Sequence, residues 1–205
     1  MFSRTRLLSS LVLALAFMLV SACGGEKKVM STGTVTNGIY TNDFFGVSFQ
    51  FPHEWIVHDS ETVNSQMEDP NKLKIEKTDG ENTDLVYLMG ATKYPDGINQ
   101  LGSSILVGGH KVGSGEKLDK DSFEFLKEEL SNSDLPYKFN GISEVKVGGK
   151  DFFVMLNSVS NGDVALNQEV YVTIIDEHAF YLIGTYSDAG SRKEVHDIIY
   201  SVTFK

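Results

Sequence analysis

Ile142-Ser143-Glu144-Val145-Lys146-Val147, then Gly148-Gly149, then Phe152-Phe153-Val154-Met155-Leu156 places two apolar-rich runs on either side of a glycine pair. That is the short-range signature of a β-hairpin, because glycines supply the positive φ that tight hairpin turns require. A second, longer hairpin follows, with Val164 to Ile175 and Phe180 to Thr185 flanking Asp176-Glu177-His178. Consecutive hairpins pair chain neighbours antiparallel, so the sheet they build is largely antiparallel. A doubly wound parallel fold needs regular alternation of strand and helix, which this chain lacks.

Working outward, Val47-Ser48-Phe49-Gln50-Phe51 alternates apolar and polar with the period of a half-buried strand. Pro52 removes a backbone donor and breaks it, and Trp55-Ile56-Val57 forms a second short strand. Ser60 to Pro70 is acidic and polar, suited to a loop or short helix. Leu85 to Ala91 and Ile105 to Val107 read as further strands, separated by the turn chemistry of Tyr94-Pro95-Asp96-Gly97. Two amphipathic helices are predicted. The first spans Asp119 to Leu130, with Asp121 and Glu124 at capping-box spacing and Phe123, Leu126 and Leu130 on one face. The second follows Ser191, capped with Glu194, and buries Val195, Ile198, Ile199 and Val202; Val202 equally suits a terminal strand through Phe204. An antiparallel sheet with two such helices, at least one face covered, is an α+β fold.

The beginning of the chain reads differently. Arg4 and Arg6 precede the unbroken apolar run Leu11 to Val20. A bilayer span needs ~20 apolar residues, so this run is too short to cross but suits a signal segment. Leu19-Val20-Ser21-Ala22-Cys23 closes it and resembles the bacterial lipobox. That resemblance implies a lipoprotein signal peptide over 1–22 and a diacylglycerol on Cys23, the only cysteine. Ordinary secretion is the alternative, since Val20-Ser21-Ala22 also passes as a cleavage site, but it leaves Cys23 a free exported thiol. Two acyl chains anchor stably at ~0.8 kcal/mol per buried methylene, so the expected location is the cell membrane, lipid-anchored at its extracytoplasmic face, outer surface or periplasm. Residues 23–38, rich in Gly, Ser, Thr and Asn, read as a flexible tether with a coil reach of about 20 Å. Residues 39–205 then form a single domain, long enough for one sizeable core and without a linker to divide it. With one cysteine there is no internal disulfide, so that core must supply the stability.

The chain carries 18 basic and 28 acidic side chains, a net charge of −10. Without Arg4 and Arg6 the remainder holds 16 basic against 28 acidic, or −12. Such a surface excludes nucleic acid as a partner and repels anionic headgroups, leaving the lipid to do the anchoring.

Tyr40-Thr41-Asn42, Phe45-Gly46-Val47-Ser48-Phe49 and the corner Pro52-His53-Glu54-Trp55 resemble the opening of PsbP-like domains. The closing helix with Ser201-Val202-Thr203-Phe204 is similar to that group and to DcrB-like lipoproteins. The resemblance implies an α/β/α sandwich around an antiparallel sheet. It also implies an accessory or assembly role at a membrane; some members are photosynthetic, but no residue here signals photosynthesis.

No motif carries chemistry. The five histidines, His53, His58, His110, His178 and His196, lack the close spacing of a metal helix. His178 reads as a turn residue, and His196 lies beside the apolar stripe of the last helix. Gly108-Gly109-His110-Lys111-Val112-Gly113-Ser114-Gly115 lacks the Gly-Lys-Ser/Thr ending of a phosphate loop and reads as a mobile loop after a strand, with a ligand lid as the alternative. There is no Gly-x-Ser-x-Gly nucleophile elbow. The adjacent acids Glu68-Asp69 and Glu128-Glu129 do not face each other on a helix and read as solvated charge. Asp79-Gly80-Glu81-Asn82-Thr83-Asp84 is oxygen-rich but fails the EF-hand pattern and reads as a turn. Trp55 reads as a core anchor in preference to a stacking platform. Phe44-Phe45 and Phe152-Phe153 each place one ring on either side of a strand, and an exposed ring would mark a partner surface.

The expectation is therefore a membrane-anchored, extracytoplasmic, non-enzymatic accessory or binding domain, with an envelope protein as partner and neither cofactor nor metal. Two alternatives stand beside it. One is a small-ligand-binding lipoprotein. The other is an envelope enzyme assembled from distant segments, for which His53, His110 and Glu54 are the candidates, chosen without a geometric reason.

Overall fold

Two-residue turns with positive φ at both positions set the topology. A computed structural model describes residues 30–66, 85–94, 102–115, 117–119, 123, 127, 137–161 and 164–205. The chain divides into two units, Met1–Met30 and Ser31–Lys205, and the elements named here all belong to the second. Its strands are β1 (Thr34–Thr36), β2 (Ile39–Asn42), β3 (Val47–Gln50), β4 (Ile56–Asp59), β5 (Val86–Thr92) and β6 (Ser104–Lys111). They continue with β7 (Tyr137–Val147), β8 (Lys150–Asn161), β9 (Val164–Ile175), β10 (His178–Tyr186) and β11 (Thr203–Phe204). The helices are α1 (Ser60–Gln66) and α2 (Ala189–Ile199). Asn37-Gly38, Gly148-Gly149 and Asp176-Glu177 join β1 to β2, β7 to β8 and β9 to β10, and all six residues have positive φ. This is the turn whose twist matches that of paired strands. At Asp176-Glu177 it is made without glycine, and the Glu177 carbonyl accepts from the Val112 N–H at 2.9 Å, which holds it in place.

The expected antiparallel sheet is present, and there is a second one. The larger has seven strands in the order β4-β5-β6-β10-β9-β8-β7, and the smaller has four in the order β1-β2-β3-β11. Every pairing in both is antiparallel. The small sheet shares one side of the large sheet with α2: Phe45 meets Phe180 at 5.0 Å between ring centroids, and Phe204 lies 6.1 Å from Phe152. At the Gly148 turn, a Cβ would come within 2.7 Å of the Val202 carbonyl oxygen, so only glycine lets this corner meet the C-terminal strand. The opposite face carries α1, whose buried Val63 packs on Leu106, Tyr87 and Ile183. Phe123, which is helical, joins Met155, Val170 and Val172 on that face. The result is a helix-covered sheet with an extra small sheet beside α2.

Several expectations need correction. The tether reading of 23–38 gives way from Ser31 onward, because β1 lies inside that segment and pairs with β2 just after it; residues 23–29, with Cys23, lie outside the described residues. β1 was hidden because Thr34, Val35 and Thr36 are all exposed, leaving no buried face to give alternation. The predicted helix Asp119–Leu130 lies mostly outside the described residues, with Phe123 and Lys127 helical where described. The last helix begins earlier than expected. Asp188 is its N-cap, accepting from the Ser191 N–H at 2.8 Å, while the Ser191 hydroxyl returns to the Asp188 N–H. Ser191 therefore fills the far end of a capping box that starts at Asp188, and Glu194 pairs with Lys93. Val202 leaves the helix and is buried just before β11. We expect Asp188→Ala to lower the urea midpoint of unfolding by removing the cap, whereas Glu194→Ala should leave the helix cap intact; equal effects would contradict this assignment.

Candidate functional site

The charge cluster of greatest interest is built on β9. Alternation along this strand sends Glu169, Tyr171 and Thr173 to the side that faces α2 and the small sheet. α2 lies over that side because residue 184 of β10, directly opposite Glu169, is glycine. A Cβ there would sit 2.5 Å from Val195 Cγ1 and 3.3 Å from Ile199 Cδ1. The close approach brings Arg192 and His196, one helical turn apart, onto the Glu169 carboxylate.

Four side chains donate to it. The Tyr171 hydroxyl reaches Oε2 at 2.6 Å and the Tyr186 hydroxyl reaches Oε1 at 2.8 Å. Arg192 contributes Nε at 3.1 Å to Oε1, and His196 Nε2 lies 2.7 Å from Oε2. The Glu169 side chain is 2% exposed, that of His196 25% and that of Arg192 51%. Burial alone pushes the Glu169 carboxyl upward; the hydrogen bonds from Tyr171, Tyr186 and His196, with the imidazole charge, outweigh it and hold the group below its ordinary range. Burial and the carboxylate both push the Tyr171 phenol far up, and they push Tyr186 up to about 12. Partial burial lowers Arg192, but Glu169, Tyr186 and Tyr171 together raise it above its ordinary value, and it stays charged. A carboxylate with both oxygens occupied by donors has no lone pair aimed at an incoming proton. The arrangement is a clamp between sheet and helix.

No family model and no curated protein matches the chain. Among solved structures it is similar to the cyanobacterial PsbP protein (CyanoP) of Synechocystis, with a TM-score of 0.55 at 14% identity over 91% of this chain and 99% of that one. The fold is PsbP-like. A protein of Bacteroides thetaiotaomicron aligns at a TM-score of 0.43 and 16% identity, over 86% of this chain and 49% of its own. LpqN, involved in cell envelope biogenesis of Mycobacterium tuberculosis, aligns at 0.44 and 15%, over 78% of this chain and 83% of its own. At these identities the likeness is one of fold.

Within the PsbP-like fold, the sequence candidates stand apart. His53 and Glu54 are exposed in the turn between β3 and β4, whereas His110 is buried in β6, stacked on Tyr181 at 5.4 Å. Among the described residues no group of three or more His, Cys, Asp or Glu side chains is placed to hold a metal ion. No described helix is long and apolar enough to cross a membrane. Asp79–Asp84, Glu68-Asp69 and Glu128-Glu129 lie outside the described residues.

The Gly108–Gly115 reading is overturned in its first half: Gly108 to Lys111 are strand β6, paired with β10 throughout. Glycine obscured this because it disfavours strands, yet here it admits neighbours: a Cβ on Gly108 would stand 3.1 Å from Leu85 Cδ1. Trp55 is a core anchor at 6% exposure, and its buried Nε1 has no partner among the described residues. Phe44 and Phe45 lie in a turn, not a strand, and both are buried, Phe44 edge-on to His178 at 4.7 Å. Phe152 is buried and Phe153 half-buried, facing Phe123.

The clamp itself was missed. One signal was available: an acid at an inward position of a strongly predicted strand, with an arginine and a histidine four residues apart on a predicted helix.

Proposed function

We propose that this chain is a membrane-anchored extracytoplasmic accessory domain, tethered through a lipid on Cys23, that serves an envelope protein partner without turnover of its own. The observation that carries the non-enzymatic part is the saturation of Glu169. The described fold gathers a glutamate, two tyrosines, an arginine and a histidine at one point, and it commits them to holding α2. Reactive sites need a group left poised for substrate, with geometry and proton affinity matched to the task. The PsbP-like fold and the likeness of Leu19–Cys23 to a lipobox support the accessory and anchored parts.

The anchor is tested by Cys23→Ala. The expected result is transfer of the chain from the membrane to the soluble fraction with its fold unchanged; persistence in the membrane would end the lipid reading. The partner is sought by cross-linking in intact cells. A turnover assay in which Glu169→Gln abolishes an activity while retaining the fold would end the non-enzymatic reading.

A further inference from the structure

A row of neutral polar side chains lies on the other face of the large sheet. The strand registers align Thr92 of β5, Ser104 of β6, Thr185 of β10, Gln168 of β9 and Asn157 of β8 in one row across the sheet. At ~4.8 Å per strand the row runs roughly 19 Å. Each member is a neutral side chain that donates or accepts hydrogen bonds. One register step inward on the same face, the row is apolar: Leu106, Ile183, Val170 and Met155. Five polar residues in a line beside an apolar core are not what packing alone selects.

Two further observations point to a ligand. Asn157 is 3% exposed, and its Nδ2 has no hydrogen-bond partner among the described residues. A buried amide without a partner is costly, and native folds rarely keep one without a use. Beside it, Gln168 and Thr185 are only half-buried, so the middle of the row is reachable from solvent. The flank beyond Asn157 is aromatic, with Phe139 opposite it and Tyr137 one step on, both on β7.

We propose that the row Ser104–Thr185–Gln168–Asn157 is the floor of a binding site for a neutral, hydroxyl-rich ligand, a saccharide. Amides and hydroxyls that both donate and accept match ring hydroxyls, which do the same, while aromatic and aliphatic borders suit the C–H faces of a sugar. The absence of charge along the row disfavours anionic or cationic ligands. An extended peptide is disfavoured too, because β6, β10, β9 and β8 are each paired on both sides and have no backbone edge to offer. This inference rests on reading the chain as a binding domain and names what it binds.

The test uses the full chain in a detergent without a sugar headgroup. Saturation-transfer NMR and titration calorimetry are run with maltose, cellobiose, lactose and N,N′-diacetylchitobiose, with a neutral peptide of similar mass as control. The proposal expects transfer to at least one disaccharide and none to the peptide. Asn157→Leu and Gln168→Leu should each weaken that binding by about tenfold or more, while Asn157→Leu keeps or raises the melting temperature by removing an unpaired buried amide. Transfer to none of the disaccharides, transfer to the peptide alone, or binding unchanged in both variants would overturn it. Partner capture in cells is a separate readout, so loss of the saccharide site leaves the accessory reading standing, and loss of the partner leaves the site standing.

Discussion

Replacing Glu169 with alanine is expected to lower the unfolding free energy by about 3–5 kcal/mol, the cost of breaking a buried, hydrogen-bonded charge cluster from its centre. The loss comes mainly from what is left behind. Tyr171 is 2% exposed and Tyr186 8%, so their hydroxyls lose a partner that water does not readily replace. Arg192, with half its side chain exposed, turns to solvent, and Arg192→Ala should cost less than about 1 kcal/mol. The pH dependence follows from the same geometry. The folded Glu169 carboxyl titrates below its ordinary 4.5, so as the pH falls the unfolded chain takes up the proton first. The stability from this group is complete above 4.5 and drains away as the pH drops through the folded value. At the alkaline end, unfolded phenols ionise near 10.0 while Tyr171 and Tyr186 keep their protons higher, so stability declines as the pH rises above 10.0. Urea unfolding of wild type and Glu169→Ala across this range checks both limbs. A cost under about 1 kcal/mol, or an acid limb as steep in the variant as in the wild type, would contradict the clamp.

Gly184→Ala is the second large effect, and it acts on the clamp from the other side. The added Cβ would lie 2.5 Å from Val195 Cγ1, well inside contact distance. Val195 is fully buried and β-branched, so its methyl has little freedom to move aside. The strain must lift α2 from the sheet, which also draws Arg192 and His196 from Glu169. We expect a loss of about 1–3 kcal/mol. Pairing Gly184→Ala with Val195→Ala removes the clashing methyl, so the double variant should be more stable than the sum of the two single losses by at least about 1 kcal/mol. Strict additivity in urea unfolding would show that α2 is not seated against residue 184.

Much of this architecture was legible because local chemistry and tertiary role agree. The β7–β8 and β9–β10 hairpins follow directly from their turns and apolar runs, and Val164–Ile175 is β9 at both ends. Legibility failed where the side chain did not report the role. β1 shows no pattern because neither of its faces is buried. β6 was cut short because Gly108 makes room for Leu85 at the expense of its own strand propensity. The cap at Asp188 was overlooked in favour of Ser191, which occupies the same motif three residues further on. The clamp depends on a contact between Glu169 and residues 23 and 27 positions later. It required knowing that α2 folds back over β9 and β10, and a single strand pattern does not contain that fact. The polar row is similarly invisible in one dimension, since its five members become neighbours only through four strand registers.

The acidic balance, the lipobox-like Cys23 and the committed Glu169 support the proposal of a domain whose work is contact at the membrane. Cross-linking in intact cells, followed by purification of the wild-type chain and of Cys23→Ala, tests this most directly. A reproducible envelope-protein partner is expected with the wild type and should be lost when the anchor is removed. Recovery of the same partner with a soluble Cys23→Ala chain, or of none with the anchor demonstrably intact, would contradict it.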